Sequence, residues 1–241
     1  IAGSEIFESS LQFSYITINR RQAMFEVVKS LVSRGAGRIA LLGINSSIQT
    51  DMLRFHGWCD AATAYQIGSP DKDVYYSDVS PRRCLDSFWQ NYDSYDAVAC
   101  ANDYYAVMLC SEANERRIKI PDTFMVTGFG NTQISRYTRP ALTTVDLNLS
   151  LVGIQVIALF RLLLQHPDLL ACTAALESKI VFRQSTRPKQ QTVSGNYFFP
   201  GEMASPLEPA YNDQLTKMYS LENTVTTMDE MDKKIITGLL N

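Results

Sequence analysis

Asp96-Ala97-Val98-Ala99-Cys100-Ala101-Asn102-Asp103 opens the stretch from which the fold is read, and Asn148 closes it. Between them lie a helix-prone segment from Asp103 to Arg117, Ile120-Pro121-Asp122, the apolar run Phe124-Met125-Val126-Thr127-Gly128-Phe129, and Pro140-Ala141-Leu142-Thr143-Thr144. Strand, helix and strand follow one another with short connections, the pattern of a parallel βαβ unit. The first strand ends in Asn102 and Asp103, two polar residues that also open the next helix. In open α/β sheets ligands bind beyond the carboxyl ends of the strands, where such side chains face a crevice. The same pair also suits an N-cap and a first-turn acid that answer the helix dipole.

Upstream, Phe13 to Ile18 is a short β-prone run that ends in Asn19. A helix follows, with Met24, Val27, Val28, Leu31 and Val32 on one face and Gly35 as its stop. Ile39-Ala40-Leu41-Leu42-Gly43 is apolar on both faces, as a strand inside a parallel sheet should be. Asp51 to Tyr65 reads as a helix whose first turn holds Arg54, a cation of the wrong sign for the dipole. Pairing with Asp51 would compensate it, and so would a polar or anionic ligand. Val74 to Ser77 is a short strand, and Tyr76 at its end either stacks on a ligand ring or faces solvent. Ser80-Pro81 is an N-cap followed by a first-turn proline, opening a helix with Cys84, Leu85, Phe88 and Trp89 inward. In the helix from Asp103, Val107, Met108 and Ala113 are expected in the core. Asp71-Lys72-Asp73 and Asp229-Glu230 are expected in solvated turns or helix faces. Leu149 to Leu164 reads as an amphipathic helix with Val152, Val156, Phe160 and Leu163 in register, and Glu177 to Phe182 as a last strand.

The composition belongs to a soluble globular protein large enough for a full core: 241 residues, 46% hydrophobic, 20% charged, formal net charge −3. An isoelectric point near 5.5 argues against nucleic-acid binding by this polypeptide itself. No apolar run reaches the roughly 18 residues that span a bilayer, since Leu149 to Leu164 is broken by Ser150, Gly153, Gln155 and Arg161. Ile1 is not an initiator methionine and no signal peptide is visible, so the sequence reads as a piece of a longer protein. The five cysteines (Cys59, Cys84, Cys100, Cys110, Cys172) lack CxxC spacing and are expected as buried small hydrophobes in a reducing cytoplasm. There is no GxSxG elbow, P-loop, HExxH or Cys–His arrangement, and Gly128-Phe129-Gly130 lacks the third glycine of a dinucleotide fingerprint. Neither histidine, His56 nor His166, has a catalytic or metal partner in the sequence. The expectation is a non-enzyme with no cofactor and no metal.

Taken in order and at this spacing, several of these residues closely resemble the effector-binding domain of the lactose-repressor/galactose-repressor family of bacterial transcription regulators. They are Asp96-Ala97-Val98, Ala101-Asn102-Asp103, Ile118 to Asp122, Val126-Thr127-Gly128-Phe129, Tyr137 and Pro140 to Val145. A looser likeness runs from Phe13 to Thr186. The resemblance implies an α/β fold of periplasmic-binding-protein type, with Rossmann-like parallel-sheet lobes around a cleft. This chain would supply largely the second lobe. The family's DNA-binding headpiece and most of its first lobe precede the position of Phe13.

The implied function is to bind a small-molecule effector, a sugar or another metabolite, between two lobes. Binding would be coupled to DNA contact made through a headpiece not in this chain. The implied setting is a cytoplasmic homodimer with no membrane partner. In the family an arginine just before a Gly-aromatic pair like Gly57-Trp58 contacts effector, which assigns that role to Arg54. The ligand-binding set read here is Asn19, Arg54, Tyr76, Asn102, Asp103 and Asn131. Gly130 stands where sugar-binding members often carry an aspartate, and Leu147 and Ile18 replace polar side chains. The implied effector is either less hydroxylated than a sugar, or the pocket is degenerate.

Domain boundaries follow: 1–186 for the sensing domain, with 13–146 mainly the second lobe and 147–176 a crossover helix. A linker spans 187–212. Residues 213–241 form an amphipathic or coiled-coil helix on which Met218, Leu221, Val225, Met228, Ile235 and Leu239 recur, interrupted by Asp232. Two other architectures share these features: a sensor whose C-terminal helix leads to an output module such as a cyclase or kinase, and a solute-binding protein.

Overall fold

The computed structural model describes residues 14–169 and 171–188. Phe13, Asp229-Glu230 and the expected helix over 213–241 lie outside the described residues, as does all of the expected linker but Arg187 and Pro188. In chain order the elements are β1 (Tyr15–Ile18), α1 (Arg20–Val32), β2 (Ile39–Ile44), α2 (Gln49–Tyr65), α3 (Pro70–Asp73), β3 (Val74–Tyr76) and α4 (Pro81–Trp89). There follow β4 (Ala97–Cys100), α5 (Asp103–Glu115), β5 (Met125–Phe129), β6 (Thr143–Asp146), α6 (Leu149–Gln165), β7 (Thr173–Leu176) and β8 (Lys179–Val181).

Six strands form one sheet in the order β3-β2-β4-β5-β6-β8, parallel throughout except for β8, which runs antiparallel to β6. Every residue of β2, β4 and β5 is buried, which requires apolar residues in an uninterrupted run rather than in alternation. The chain leaves β2 toward β3 on one side, whereas β4 lies on the other. The strand order therefore reverses between β2 and β4, where Leu42 pairs Cys100. That reversal opens a crevice beyond the carboxyl ends of the two strands. β1 and β7 pair in parallel as a separate two-stranded sheet, Tyr15 opposite Thr173. The last strand expected over Glu177 to Phe182 is present as the shorter β8, and a further strand, β7, precedes it in the other sheet.

α1 and α2 pack on one another closely enough that a Cβ at Gly57 would overlap the backbone of Arg21. On the opposite flank, α4 and the amino ends of the strands enclose an aromatic cluster. Phe88 stacks on Tyr95 at 5.9 Å, and Tyr75 meets Phe88 edge-on at 5.5 Å. Asp73 anchors this cluster and corrects the expectation of a solvated turn. Only 2% exposed, it accepts from the Tyr95 hydroxyl (2.9 Å), Arg38 Nη2 (2.9 Å) and the Ser69 amide (2.6 Å). Its neighbour Asp71 is exposed as expected. Burial follows from position: Asp73 ends α3 where β3 begins, so its side chain turns under the sheet.

Other expectations need smaller corrections. Cys84, Cys100 and Cys110 are buried, whereas Cys59 and Cys172 are only partly so. Met108 is half-exposed while Val107 and Ala113 are buried. In α6 the expected apolar register is present, yet none of its residues is buried. Phe160 and Leu164 are more than half exposed, since the helix lies mainly beside β1 and β7, a sheet too small to cover it.

Removing the Asp73 carboxylate takes an acceptor from the Tyr95 hydroxyl, the half-buried Ser69 amide and the Arg38 guanidinium. Asp73→Ala is expected to lower stability by about 3 kcal/mol, read as a fall in the urea midpoint with an unchanged slope; a loss below about 0.5 kcal/mol would show the network to be dispensable.

Candidate functional site

Around the crevice, the carboxyl ends of β2, β4, β5 and β6 present a row of polar residues. At β2, the loop Asn45 to Ile48 turns into α2. Asp51, in the first turn, accepts from the Asn45 amide (3.1 Å) through Oδ2 and from Arg54 Nη1 through Oδ1. Arg54 is 8% exposed and its guanidinium lies 4.6 Å from the Phe129 ring centroid, at the end of β5. Of the two compensations open from the sequence, pairing with Asp51 is realised, but it does not satisfy the guanidinium, because Arg54 Nε is buried without a hydrogen-bond partner. Burial dominates both charges: it pushes the Asp51 carboxyl up and lowers Arg54 to about 10, against the pull of their mutual attraction. The positive charge of Arg20 adds to the lowering at Arg54. Tyr76, 41% exposed at the end of β3, lies 6.2 Å from the ring of Phe55, the residue after Arg54.

At β4 the chain enters α5 through Asn102, whose Oδ1 caps the helix by accepting from the Tyr105 amide (3.2 Å). Asp103 is 1% exposed and both its oxygens are taken up by the protein. Oδ2 accepts from the Thr132 amide (2.7 Å) and hydroxyl (2.8 Å), and Oδ1 accepts from the Thr144 hydroxyl. A Cβ at Gly128 would overlap this carboxylate, so glycine is what admits Asp103 against β5. Asn131, in the left-handed region at φ 49°, donates its amide to Thr144 Oγ1 (3.2 Å) and accepts from Arg183 Nη2 (2.6 Å) through Oδ1.

The sequence-derived residues therefore fall into three groups. Arg54 and Tyr76 are joined through Phe55. Asp103 and Asn131 meet at Thr144, Asn102 precedes Asp103 at the start of α5, and Arg54 lies over Phe129 at the end of β5. Asn19 stands apart. Its Oδ1 caps α1 by accepting from the Gln22 amide (2.9 Å), and it lines a separate cavity of about 510 Å³ between α1 and the segment from β7 to β8. Asp51 was anticipated as the partner of Arg54, whereas Thr132, Thr144 and Arg183 were missed as partners of the site. Ile18 and Leu147, two of the substituted positions, are buried. Among the described residues no group of His, Cys, Asp or Glu could hold a metal ion, and no helix is long and apolar enough to cross a membrane.

Residues 28–186 match the periplasmic binding protein-like domain. Among curated proteins, the chain is 27% identical over 173 residues to the HTH-type transcriptional regulator GalR of Escherichia coli, covering 70% of this chain and 50% of that protein. It is 26% identical over 186 residues to catabolite control protein A of Priestia megaterium, covering 75% and 55%. It is also similar to the HTH-type transcriptional repressor PurR of Mannheimia succiniciproducens, 25% identical over 66% of this chain and 48% of that one. The chain spans about half the length of these relatives. Solved structures of the same fold include a LacI regulator from Bacillus cereus subsp. cytotoxis, TM-score 0.68 at 20% identity over 76% of this chain and 66% of that one. The complex of the regulator CelR with cellobiose aligns with TM-score 0.66 at 20% identity, over 76% and 57%.

A buried ion pair is worth less than its loss implies, because each partner left alone keeps an uncompensated charge. Asp51→Ala is expected to destabilise by about 3 kcal/mol, whereas Asp51→Leu combined with Arg54→Met should recover most of that stability. A double variant as unstable as the sum of its two single changes, by calorimetry, would show that the pair is not coupled.

Proposed function

The chain belongs to the periplasmic binding protein-like domain family, and we propose that it is the effector-sensing part of a bacterial transcription regulator of the lactose-repressor type. The observation that carries this reading is the polar carboxyl edge beside the strand reversal, where Arg54 lies over Phe129, Asn131 and Asp103 meet at Thr144, and Asn102 opens α5. Polar groups there are held by the protein in fixed orientations, a pre-organised wall for a small ligand. GalR, PurR and catabolite control protein A are the relatives it matches, and CelR was solved with cellobiose.

The mechanism is a conformational equilibrium. A ligand touching this wall and an opposing one favours the closed arrangement by its differential contacts, and that bias is passed to DNA affinity. DNA contact is assigned to a headpiece outside these 241 residues, which agrees with the chain's net charge of −3. A cytoplasmic setting and a homodimer belong to the same proposal. Light scattering on the full chain tests the dimer: a mass of 27.1 kDa, that of one copy, would reject it.

An effector present at about one hundred times its Kd adds roughly 2.7 kcal/mol of stability, a rise in Tm of roughly 5–10 °C for a unit of this size. A thermal-shift screen of sugars, nucleobases, amino acids and phosphorylated metabolites is expected to find such a compound. The same compound should then change operator affinity of the parent regulator in a mobility-shift assay; a binder without effect on DNA would separate ligand binding from regulation and count against this reading.

A further inference from the structure

The far end of the sheet carries a feature that the crevice does not use. Another cavity, also of about 510 Å³, lies at the amino ends of β5 and β6, where α5 finishes. Arg117 and Lys119 line it from the turn after α5, Asp122 from the approach to β5, and Arg139 from the approach to β6. Ile118 and Ile120 belong to its apolar wall. α5 runs the length of the sheet, so its 13 residues set this cavity about 20 Å from Asn102 and Asp103.

Three cations and one carboxylate line the cavity, in a chain whose net charge is −3. Among the described residues, the side chains of Arg117, Lys119 and Arg139 make no hydrogen bond or ion pair, and Asp122, exposed on the same rim, pairs with none of them. A fourth cation, Arg187, donates to the Pro121 and Asp122 carbonyls (3.2 and 3.0 Å), neutral acceptors that leave its charge unbalanced. Arg117 is also unusual in its backbone. α5 closes in a Schellman turn: the Ile118 amide donates to the Ala113 carbonyl (2.8 Å) and the Arg117 amide to the Asn114 carbonyl (3.0 Å). The left-handed position of that turn (φ 60°) is ordinarily a glycine, and here it is Arg117, whose Cβ makes the conformation costly. The helix dipole favours a cation at this end. Arg116 already meets that condition, and the dipole does not account for Arg139, which stands on another segment.

Unbalanced charge set in a concavity of this size selects a ligand that fits it. A carboxylate would neutralise one of these cations. A phosphate monoester carries about −1.5 to −2 at pH 7 and offers three acceptor oxygens, which guanidinium groups meet with paired bonds. Ile118 and Ile120 are half-buried and offer carbon surface to the body of such a molecule, and Asp122 offers an acceptor to a hydroxyl on it. We propose that this cavity is a second ligand site, for a small phosphorylated polyol or sugar. Its phosphate lies among Arg117, Lys119 and Arg139, long exposed side chains that line one cavity and have room to turn toward a common group. The site is separate from the effector crevice and independent of what occupies it.

The test is isothermal titration of the 241-residue chain with glucose 6-phosphate and glycerol 3-phosphate. Glucose serves as the body without charge, gluconate as a body with a single charge, and inorganic sulfate as a dianion without a body. At least one ester is expected to bind tenfold or more tightly than all three controls. Lys119→Glu and Arg139→Glu, both at exposed positions, should each weaken it at least tenfold with Tm unchanged. Arg117→Gly is the sharper variant, because glycine suits the left-handed turn: Tm should hold or rise while affinity falls at least threefold. Amide chemical shifts locate the ester, with changes expected from Arg117 to Asp122 and at Arg139; should a variant fail to fold, these shifts in the unaltered chain decide. Changes confined to Asn102, Asp103 and Asn131 would put the ester in the crevice, overturning the second site and leaving the sensing role standing. Sulfate binding as tightly as the esters reduces the cavity to an unselective anion patch and overturns the ligand class. Affinity indifferent to all three variants, or silence from both esters, overturns the proposal.

Discussion

A single carboxylate, that of Asp103, holds the site's architecture together. It sits in the first turn of α5 and accepts from Thr132 in the loop after β5 and from Thr144 in β6. Three successive strand ends are thereby fixed to one another by a charged acceptor that water does not reach. Charge-assisted bonds of this kind are shorter and stronger than neutral ones, and the absence of a Cβ at Gly128 makes the approach possible. Asp103 is therefore best understood as a strut. It sets the position of Asn102 before it and of the loop beyond β5 that carries Asn131.

Arg54 works under the opposite condition. Burial weakens its hold on its proton, one acid answers it, and one of its nitrogens is unsatisfied. Structural ion pairs are ordinarily completed by their surroundings, because an unpaired buried polar group carries a full desolvation penalty.

Much of the fold was legible because parallel strands buried on both faces leave continuous apolar runs. Ile39 to Gly43 and Phe124 to Phe129 announced themselves in that way, and Ser80-Pro81 announced a helix start that the Ser80 cap to the Arg83 amide realises (3.2 Å). Less legible were elements whose burial depends on what lies across from them. Asp73 looked like one acid among others in Asp71-Lys72-Asp73, yet Tyr95, from 22 positions away, draws it inside. α6 has the spacing of a core helix and lies exposed, since spacing states which residues share a face and nothing about what covers it.

By itself, the sequence determined the period of each element, the polar residues that close the strands, and the order that carries the family likeness. These are local properties, written in spacing and in the preference of asparagine and serine for helix starts. Tertiary structure decided which of those polar groups remain available. Asp103 finds Thr132 and Thr144 at separations of 29 and 41 residues, and Asn131 finds Arg183 at 52. Hydrogen-bond saturation is set by such distant partners, so which polar side chains serve as struts is decided only once the sheet has closed.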